Sequence, residues 1–348
     1  MTLPAISVAM SVFNGEAFLD EAIESVRTQG FADFEFLIVD DGSSDSSPAI
    51  IRRHAQADPR IVPILRENRG LIASLNEMIE RARAPVIARM DADDACRSDR
   101  FAKQIAFLTA HPDHGVVGSW SEDIGEDGAP LRGEGADHPV SHQDVLAAIE
   151  RGRHVICHPV AMFRRDVVRQ VGGYHAAFRH CEDFDLWLRL ASVTRIANIP
   201  ERLIRYRRYP GQVSNRHSTE QQIGTAVAKL AWRERRAGRT DPTENLERLP
   251  PIDELDELFG REGVAQQVRA EVTSMARYSI PALRSNAFPL VEEFLRNGGD
   301  HAGMWRTVAR LLRGDEPLLA ARLARILLTT RAYSRRSHGG QARREPAL

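Results

Sequence analysis

Over its first hundred residues the chain alternates two hydrophobic periods. Residues 6–12, 34–39, 61–65 and 86–90 are short, nearly continuous apolar runs, the pattern of strands buried on both faces. Residues 17–29, 46–57, 71–83 and 100–111 instead repeat their apolar positions three and four apart, which predicts helices with one buried stripe. This alternation predicts a mostly parallel sheet flanked by helices, with right-handed crossovers. The four strand ends then share one carboxyl edge, where ligands bind in open α/β sheets.

Farther along the rhythm loosens. Residues 116–120 predict a strand, and "IGEDGAPLRGEGADHPVS" is a surface excursion rich in Gly, acid and Pro. Residues 141–149 read as a helix and 160–163 as a strand. "FDLWLRLAS" reads as a helix with Phe184, Trp187, Leu188 and Ala191 on one stripe. Two short strands, 196–199 and 203–206, would close a smaller, mixed part of the sheet. Beyond 217 the patterns are helical: 219–236, 251–259, 264–278, 289–297, 304–312 and 318–329, broken most clearly at "RRAGRTDPTENLERLPP". The expected organisation is an α/β domain over residues 1–216, a helical appendage over 217–336 and a disordered tail over 337–348.

Composition narrows the class. With 348 residues and 43% hydrophobic content, the chain suits a folded protein with a core rather than a disordered one. Lys plus Arg number 47 and Asp plus Glu 48, so the net charge predicts no nucleic-acid groove. Residues 302–348, however, hold ten Arg against Asp315, Glu316 and Glu345. That end suits an anionic surface, although a solvated basic tail is the plainer reading. Cys96, Cys157 and Cys181 form no disulfide framework and fit a reducing compartment. No basic region precedes the first apolar run, and no apolar stretch reaches eighteen residues. These features predict a cytoplasmic protein with at most peripheral membrane contact, on the cytoplasmic face of the inner membrane.

The strands end in "SVFNGE", "VDDGSSDS", "RENRG" and "MDADD", four polar clusters converging on a space suited to a nucleotide. Ser43 or Asp45 can cap the helix after the second strand, but capping leaves the acidic pair Asp40 and Asp41 unexplained. Asp41 is therefore a candidate to accept from a base or sugar hydroxyl. No G-x-G-x-x-G and no G-x-x-x-x-G-K-[ST] occurs, which argues against dinucleotide oxidoreductases and P-loop ATPases. Asp91, Asp93 and Asp94 beside a diphosphate make sense only with a cation between them. Oxygen ligands predict Mg²⁺ or Mn²⁺, with Asp93 as first ligand and Asp91 serving the metal or the ribose. Asp94 alone is expected to cap the next helix.

"ISVAMSVFNGE", "FEFLIVDDGSSDSS", "NRGLIASLN", "ARMDADD" and "CEDFDLWLRL", in that order and spacing, resemble the family 2 glycosyltransferases over residues 4 to about 215. The resemblance implies an inverting enzyme with the A-type glycosyltransferase fold. It implies that Ser11 and Asp41 bind the nucleoside and that Arg66, Asn68 and Gly70 lie beside the nucleotide. "ARMDADD" matches the family's D-x-D element, with Asp93 touching the metal and Asp91 near the ribose. Glu182 and Asp183 match its acceptor-side acids, Asp183 as catalytic base and Glu182 in reserve. A helix N-terminus there would favour the charged carboxylate. No Q-x-x-R-W motif of processive synthases occurs, which favours single-sugar addition.

The expected function is thus metal-dependent transfer of one sugar from a nucleotide-sugar donor, a UDP-sugar foremost. The acceptor would be a glycan or lipid-linked saccharide in surface polysaccharide biosynthesis. A nucleotidyltransferase and a non-catalytic nucleotide- or carbohydrate-binding protein are the alternatives. In "VGGYHAAFRH", Gly172 and Gly173 permit an unusual turn, and Tyr174 or His180 is placed to meet acceptor. Trp187 reads as packing. His154, Cys157, His158, His180 and Cys181 lack the paired spacing of a structural zinc site.

Overall fold

The apolar runs pair as the alternation predicts. In the computed structural model, residues 3–339 are described except 134, 152, 213–216 and 285–286, with side chains to residue 330 apart from that of residue 218. Strands β1 (Ile6–Val12), β2 (Phe34–Asp41), β3 (Ile61–Arg66) and β4 (Val86–Asp91) are joined by α1 (Leu19–Arg27), α2 (Ser47–Ala57) and α3 (Leu71–Arg81). They lie parallel in the order β3-β2-β1-β4. Val8, Met10, Ile38 and Met90 are fully buried beneath Ile23 and Phe101, and this two-sided burial explains why these strands are continuous apolar runs.

The rest of the sheet is mixed. In chain order follow β5 (Ala95–Cys96), α4 (Arg100–Ala110), β6 (His114–Ile124), α5 (His142–Glu150), β7 (Met162–Arg164), α6 (Arg165–Gln170), α7 (Glu182–Leu190) and β8 (Arg195–Arg207). The complete order is β3-β2-β1-β4-β7-β6-β8-β5, with β7 antiparallel to both β4 and β6. The two strands expected around Pro200 are one. Ile199 pairs with Ser119 and Arg202 with Trp120, so Pro200 and Glu201 bulge outward, and the missing proline N–H falls where no ladder bond is needed. Strand β5 and helix α6 were not anticipated, being too short to display a period.

The chain divides into two compact units, Met1–Gln212 with Ala228–Arg248, and Val213–Val227 with Leu249–Leu348. The second is helical, with helices Val264–Ala276, Ile280–Arg284, Ala287–Arg296, Met304–Arg313 and Pro317–Gly339 around Leu283, Phe288, Val291, Leu295 and Leu323. Of the expected tail, residues 340–348 lie outside the described residues. No helix among the described residues is long and apolar enough to cross a membrane.

One buried acid holds the amino-terminal side of the sheet. Glu35 on β2 accepts from the hydroxyl of its register partner Ser7 and from the backbone N–H (2.7 Å) and guanidinium of Arg83. Burial pushes its carboxyl upward, but the bonds from Ser7 and Arg83 together outweigh that and hold it below the usual glutamate range. A carboxyl with a depressed folded pKa adds stability above its unfolded value and loses it as pH falls. Glu35→Gln is therefore expected to cost about 2 kcal/mol at neutral pH. The deficit should shrink toward zero in strong acid, as urea unfolding across a pH series would register.

Candidate active site

Strand register brings the predicted donor-side residues to one edge. Ser11 pairs with Val39 on one side and Asp91 on the other, and Asp41 pairs with Arg66. Asp41 is buried, and its carboxylate accepts from the backbone N–H groups of Arg69 (2.9 Å) and Gly70 (2.8 Å) and pairs with Arg66 at 2.6 Å. Gly70 takes φ of 87° just before α3. Gly42, at φ of 80°, lies so close to this loop that a Cβ there would stand 2.7 Å from the Asn68 nitrogen. Arg66, Asn68 and Gly70 thus gather around Asp41. Beside it, one buried Asp40 oxygen has no hydrogen-bond partner among the described residues.

The first two loops of the edge clamp each other. The Asn14 backbone N–H donates to Ser43 Oγ while the Asn14 side-chain oxygen Oδ1 accepts from the Ser44 N–H. Glu16 and Asp45 exchange the equivalent pair, with the Glu16 N–H on Asp45 and the Ser46 N–H on Glu16. Asp45 also accepts from the Ser47 N–H at 2.9 Å, but the N-cap position of α2 is Ser46, with no side-chain cap bond, so neither Ser43 nor Asp45 is the cap itself. Asn14 needs φ of 51° to do this, and it leaves the adjoining Phe13 ring 57% exposed at the tip of β1.

The carboxylates of Asp91, Asp93 and Asp94 offer oxygens within 4.8 Å of one another. Asp91 is paired at 2.6 Å with the buried guanidinium of Arg89. Asp93 accepts from the Tyr209 hydroxyl at 3.0 Å, and its carbonyl accepts from Arg207 Nε at 2.8 Å. Asp94 does not cap α4. It is buried and accepts the Arg207 backbone N–H at 2.8 Å, while α4 starts only at Arg100. Its other oxygen has no hydrogen-bond partner among the described residues. Burial, reinforced by Asp91, pushes Asp93 up to about 6, and burial with the neighbouring acids pushes Asp94 well above the aspartate range. Clustered carboxylate oxygens, one of them unpartnered, are a donor set that fits a hard divalent cation such as Mg²⁺ or Mn²⁺.

The second acidic locus begins α7. Glu182 is buried, and burial followed by the charge of Asp183 pushes it up to about 8. Asp183 is partly accessible and accepts from the Phe184 N–H at 2.7 Å. Burial raises it and His154 partly offsets the rise. The expected preference of the helix N-terminus for the charged form is therefore outweighed by desolvation. The charge of Asp91 acts on both residues, so the two acidic loci are neighbours borne on separate elements.

The supporting residues are mostly buried. Asp185 is bound to Arg189 (2.7 and 2.9 Å), and Trp187 packs in the core as expected. Tyr174 is buried too, its hydroxyl 2.9 Å from His158 Nε2 and its backbone held at both N–H and carbonyl by Asn76. Gly173, with φ of 73°, admits Asn76 where a Cβ would meet it at 2.7 Å. His180 has φ of 69°. Among the described residues, His154, Cys157, His158 and Cys181 do not gather into a metal-ligand set.

Four residues of the site escaped the sequence reading: Phe13, Arg89, Arg207 and Tyr209. Arg89 and Arg207 are almost fully buried, and a run of Arg gives no hint of burial. Arg207 spans the site, its guanidinium also reaching the carbonyls of Gly125 and Glu126 and lying 4.5 Å from the Phe18 ring centre.

Known proteins resemble this chain in sequence and in fold. The model of glycosyl transferase family 2 matches residues 7–172. The amylovoran biosynthesis glycosyltransferase AmsE of Erwinia amylovora is 33% identical over 214 residues, 60% of this chain and 79% of AmsE. The O-antigen biosynthesis glycosyltransferase WbnJ of Escherichia coli is 29% identical over 209 residues, 59% of this chain and 80% of WbnJ. Residues 1–349 of TarS from S. aureus share the fold at a TM-score of 0.56 and 16% identity, over 99% of this chain and 94% of that one. Sheet, edge and sequence together define an α/β glycosyltransferase. The chain belongs to glycosyl transferase family 2, and the nucleotidyltransferase and non-catalytic alternatives give way to that.

Because the Arg207 guanidinium ties Glu21 of α1, the Asp93 carbonyl and the 125–126 carbonyls to one point, Arg207→Met should lower unfolding stability by about 3 kcal/mol. Arg207→Lys should recover only part of this, since one ammonium cannot span the same acceptors. Denaturant melts of both variants would measure the difference.

Proposed function

We propose that the chain is an inverting, metal-dependent glycosyltransferase that moves one sugar from a nucleoside diphosphate donor to a hydroxyl of a glycan or lipid-linked acceptor. The observation that carries this is the cluster of Asp91, Asp93 and Asp94 at the sheet edge, neighbouring but separate from Glu182 and Asp183. UDP as the donor nucleotide rests on the family resemblance alone. A role in surface polysaccharide assembly is supported by the names of AmsE and WbnJ. Peripheral attachment at the cytoplasmic face of the inner membrane is supported by the ten Arg of residues 302–348.

Asp93 is the first metal ligand, with Asp91 shared between metal and ribose. A cation held there would neutralise charge gathering on the departing diphosphate. Ser11 and Asp41 contact the nucleoside, and Asp41 also fixes the loop carrying Arg66, Asn68 and Gly70. The exposed Phe13 ring offers a stacking face to the base. Asp183, the more accessible of its pair, takes the acceptor hydroxyl proton as that oxygen attacks the anomeric carbon opposite the diphosphate. Glu182, held mostly protonated at neutral pH, keeps a second negative charge away from the base.

Screening nucleotide sugars for metal-dependent hydrolysis and transfer tests this reading. Asp93→Asn should abolish hydrolysis and metal-dependent donor binding. Asp183→Asn should spare donor binding and lower transfer about 10²- to 10⁴-fold; normal transfer by that variant would remove Asp183 from the mechanism. Since the base must be ionised and burial raises it, kcat/KM should fall on acidification along a limb above the ordinary aspartate range. Glu182→Gln exchanges an acid already neutral over that range for a neutral amide and should leave the limb where it is, as pH-rate profiles of the two enzymes would reveal.

A further inference from the structure

Each of the last two helices of the helical unit exposes large apolar residues beside arginine. Helix Met304–Arg313 turns Met304, Val308 and Leu311 into the core, and helix Pro317–Gly339 turns Leu323, Ile326 and Leu327 into the same core. Their opposite arcs face solvent. On the first, Trp305 and Leu312, seven residues apart and 41% and 56% exposed, flank exposed Ala309. On the second, Leu318 and Leu328 are 84% and 61% exposed, with Ala321 and Arg325 between them along the same arc. Arg306 and Arg313 border the Trp305 stripe, again seven residues apart and hence on one side of the helix.

We infer that these exposed arcs, carrying Trp305, Leu312, Leu318 and Leu328 among Arg306, Arg313 and Arg325, dock on an anionic lipid bilayer. The inference rests on the peripheral attachment proposed above and assigns it to a surface and a lipid class. Charge selects the partner: among the described residues no acid pairs with Arg306, Arg313 or Arg325, and Asp315 is the exposed acid between the two helices. The chain as a whole is at net charge −1, so the basic character belongs to this end rather than to the molecule. Leu and Trp interleaved with Arg suit the boundary between headgroups and acyl chains, where the indole and the guanidinium both remain satisfied. A purely electrostatic ligand would leave the four apolar side chains without a role.

Sedimentation of the full chain with phosphatidylcholine vesicles, with and without phosphatidylglycerol, tests this. Binding should require phosphatidylglycerol and weaken with salt. Arg306→Glu with Arg313→Glu should reduce apparent affinity at least tenfold, and Trp305→Ala with Leu312→Ala by about tenfold. Donor hydrolysis in vesicle-free solution should stay at the level of the unaltered chain for all four substitutions, which also certifies their folding. Equal binding to neutral vesicles, no binding, or unchanged binding by both double variants would overturn the assignment. Self-association lost with Trp305→Ala and Leu312→Ala, without any vesicle effect, would give these arcs to a second copy of the chain instead. The vesicle measurement needs neither donor nor acceptor, so its failure is separable from failure of the glycosyltransferase mechanism.

Discussion

Five carboxylates, those of Asp91, Asp93, Asp94, Glu182 and Asp183, are drawn toward one edge of the sheet, and their mutual repulsion is the constraint that shapes everything around them. Two buried arginines offset it within the protein. Arg89 neutralises Asp91 directly, and its charge also eases the burden on Glu182. Arg207 grips the turn that carries Asp93 and Asp94 through backbone as well as side chain. The remaining excess is expressed as raised pKa values at Asp93, Asp94, Glu182 and Asp183. Such an unbalanced cluster is unfavourable for folding alone and is suited to receiving a cation and a proton.

The beginning of the sheet was legible because burial on both faces forces an unbroken apolar run, and such runs end where the polar residues begin. Those ends named Asp41, Asp91 and Asp93 from one dimension of information, while Ser11 came from the family resemblance. Legibility failed where a contact is made by residues far apart in the chain. Asp94 looks like a cap from its neighbours, yet its partner is an amide 113 positions away. The same distance hid Arg207 and Tyr209, whose sequence context, "YRRYPGQ", contains no periodic signal. Pro200 read as a strand end because a bulge and a break look alike until the partner strand is known. The helix dipole at Asp183 was read correctly in sign, but its size matters only against desolvation, and burial cannot be judged from the local sequence.

The arrangement also divides labour among the elements. The first two loops brace each other through Asn14, Glu16, Ser43 and Asp45, so this part of the edge is ordered by contacts within itself. The base locus depends on other groups: Asn76 positions Tyr174, Tyr174 meets His158, and the His158 and Trp187 rings meet edge to face at 6.1 Å beneath α7. The charges of Asp91 and Arg89 act on both acidic loci.

Asp41 holds its loop by the main-chain amides at positions 69 and 70, while the side chain of Arg69 stands in solvent. Replacement at position 69 therefore leaves the anchor intact. Evolutionary drift can rewrite that part of the rim, altering what it discriminates, without first having to reinvent the support on which it is mounted.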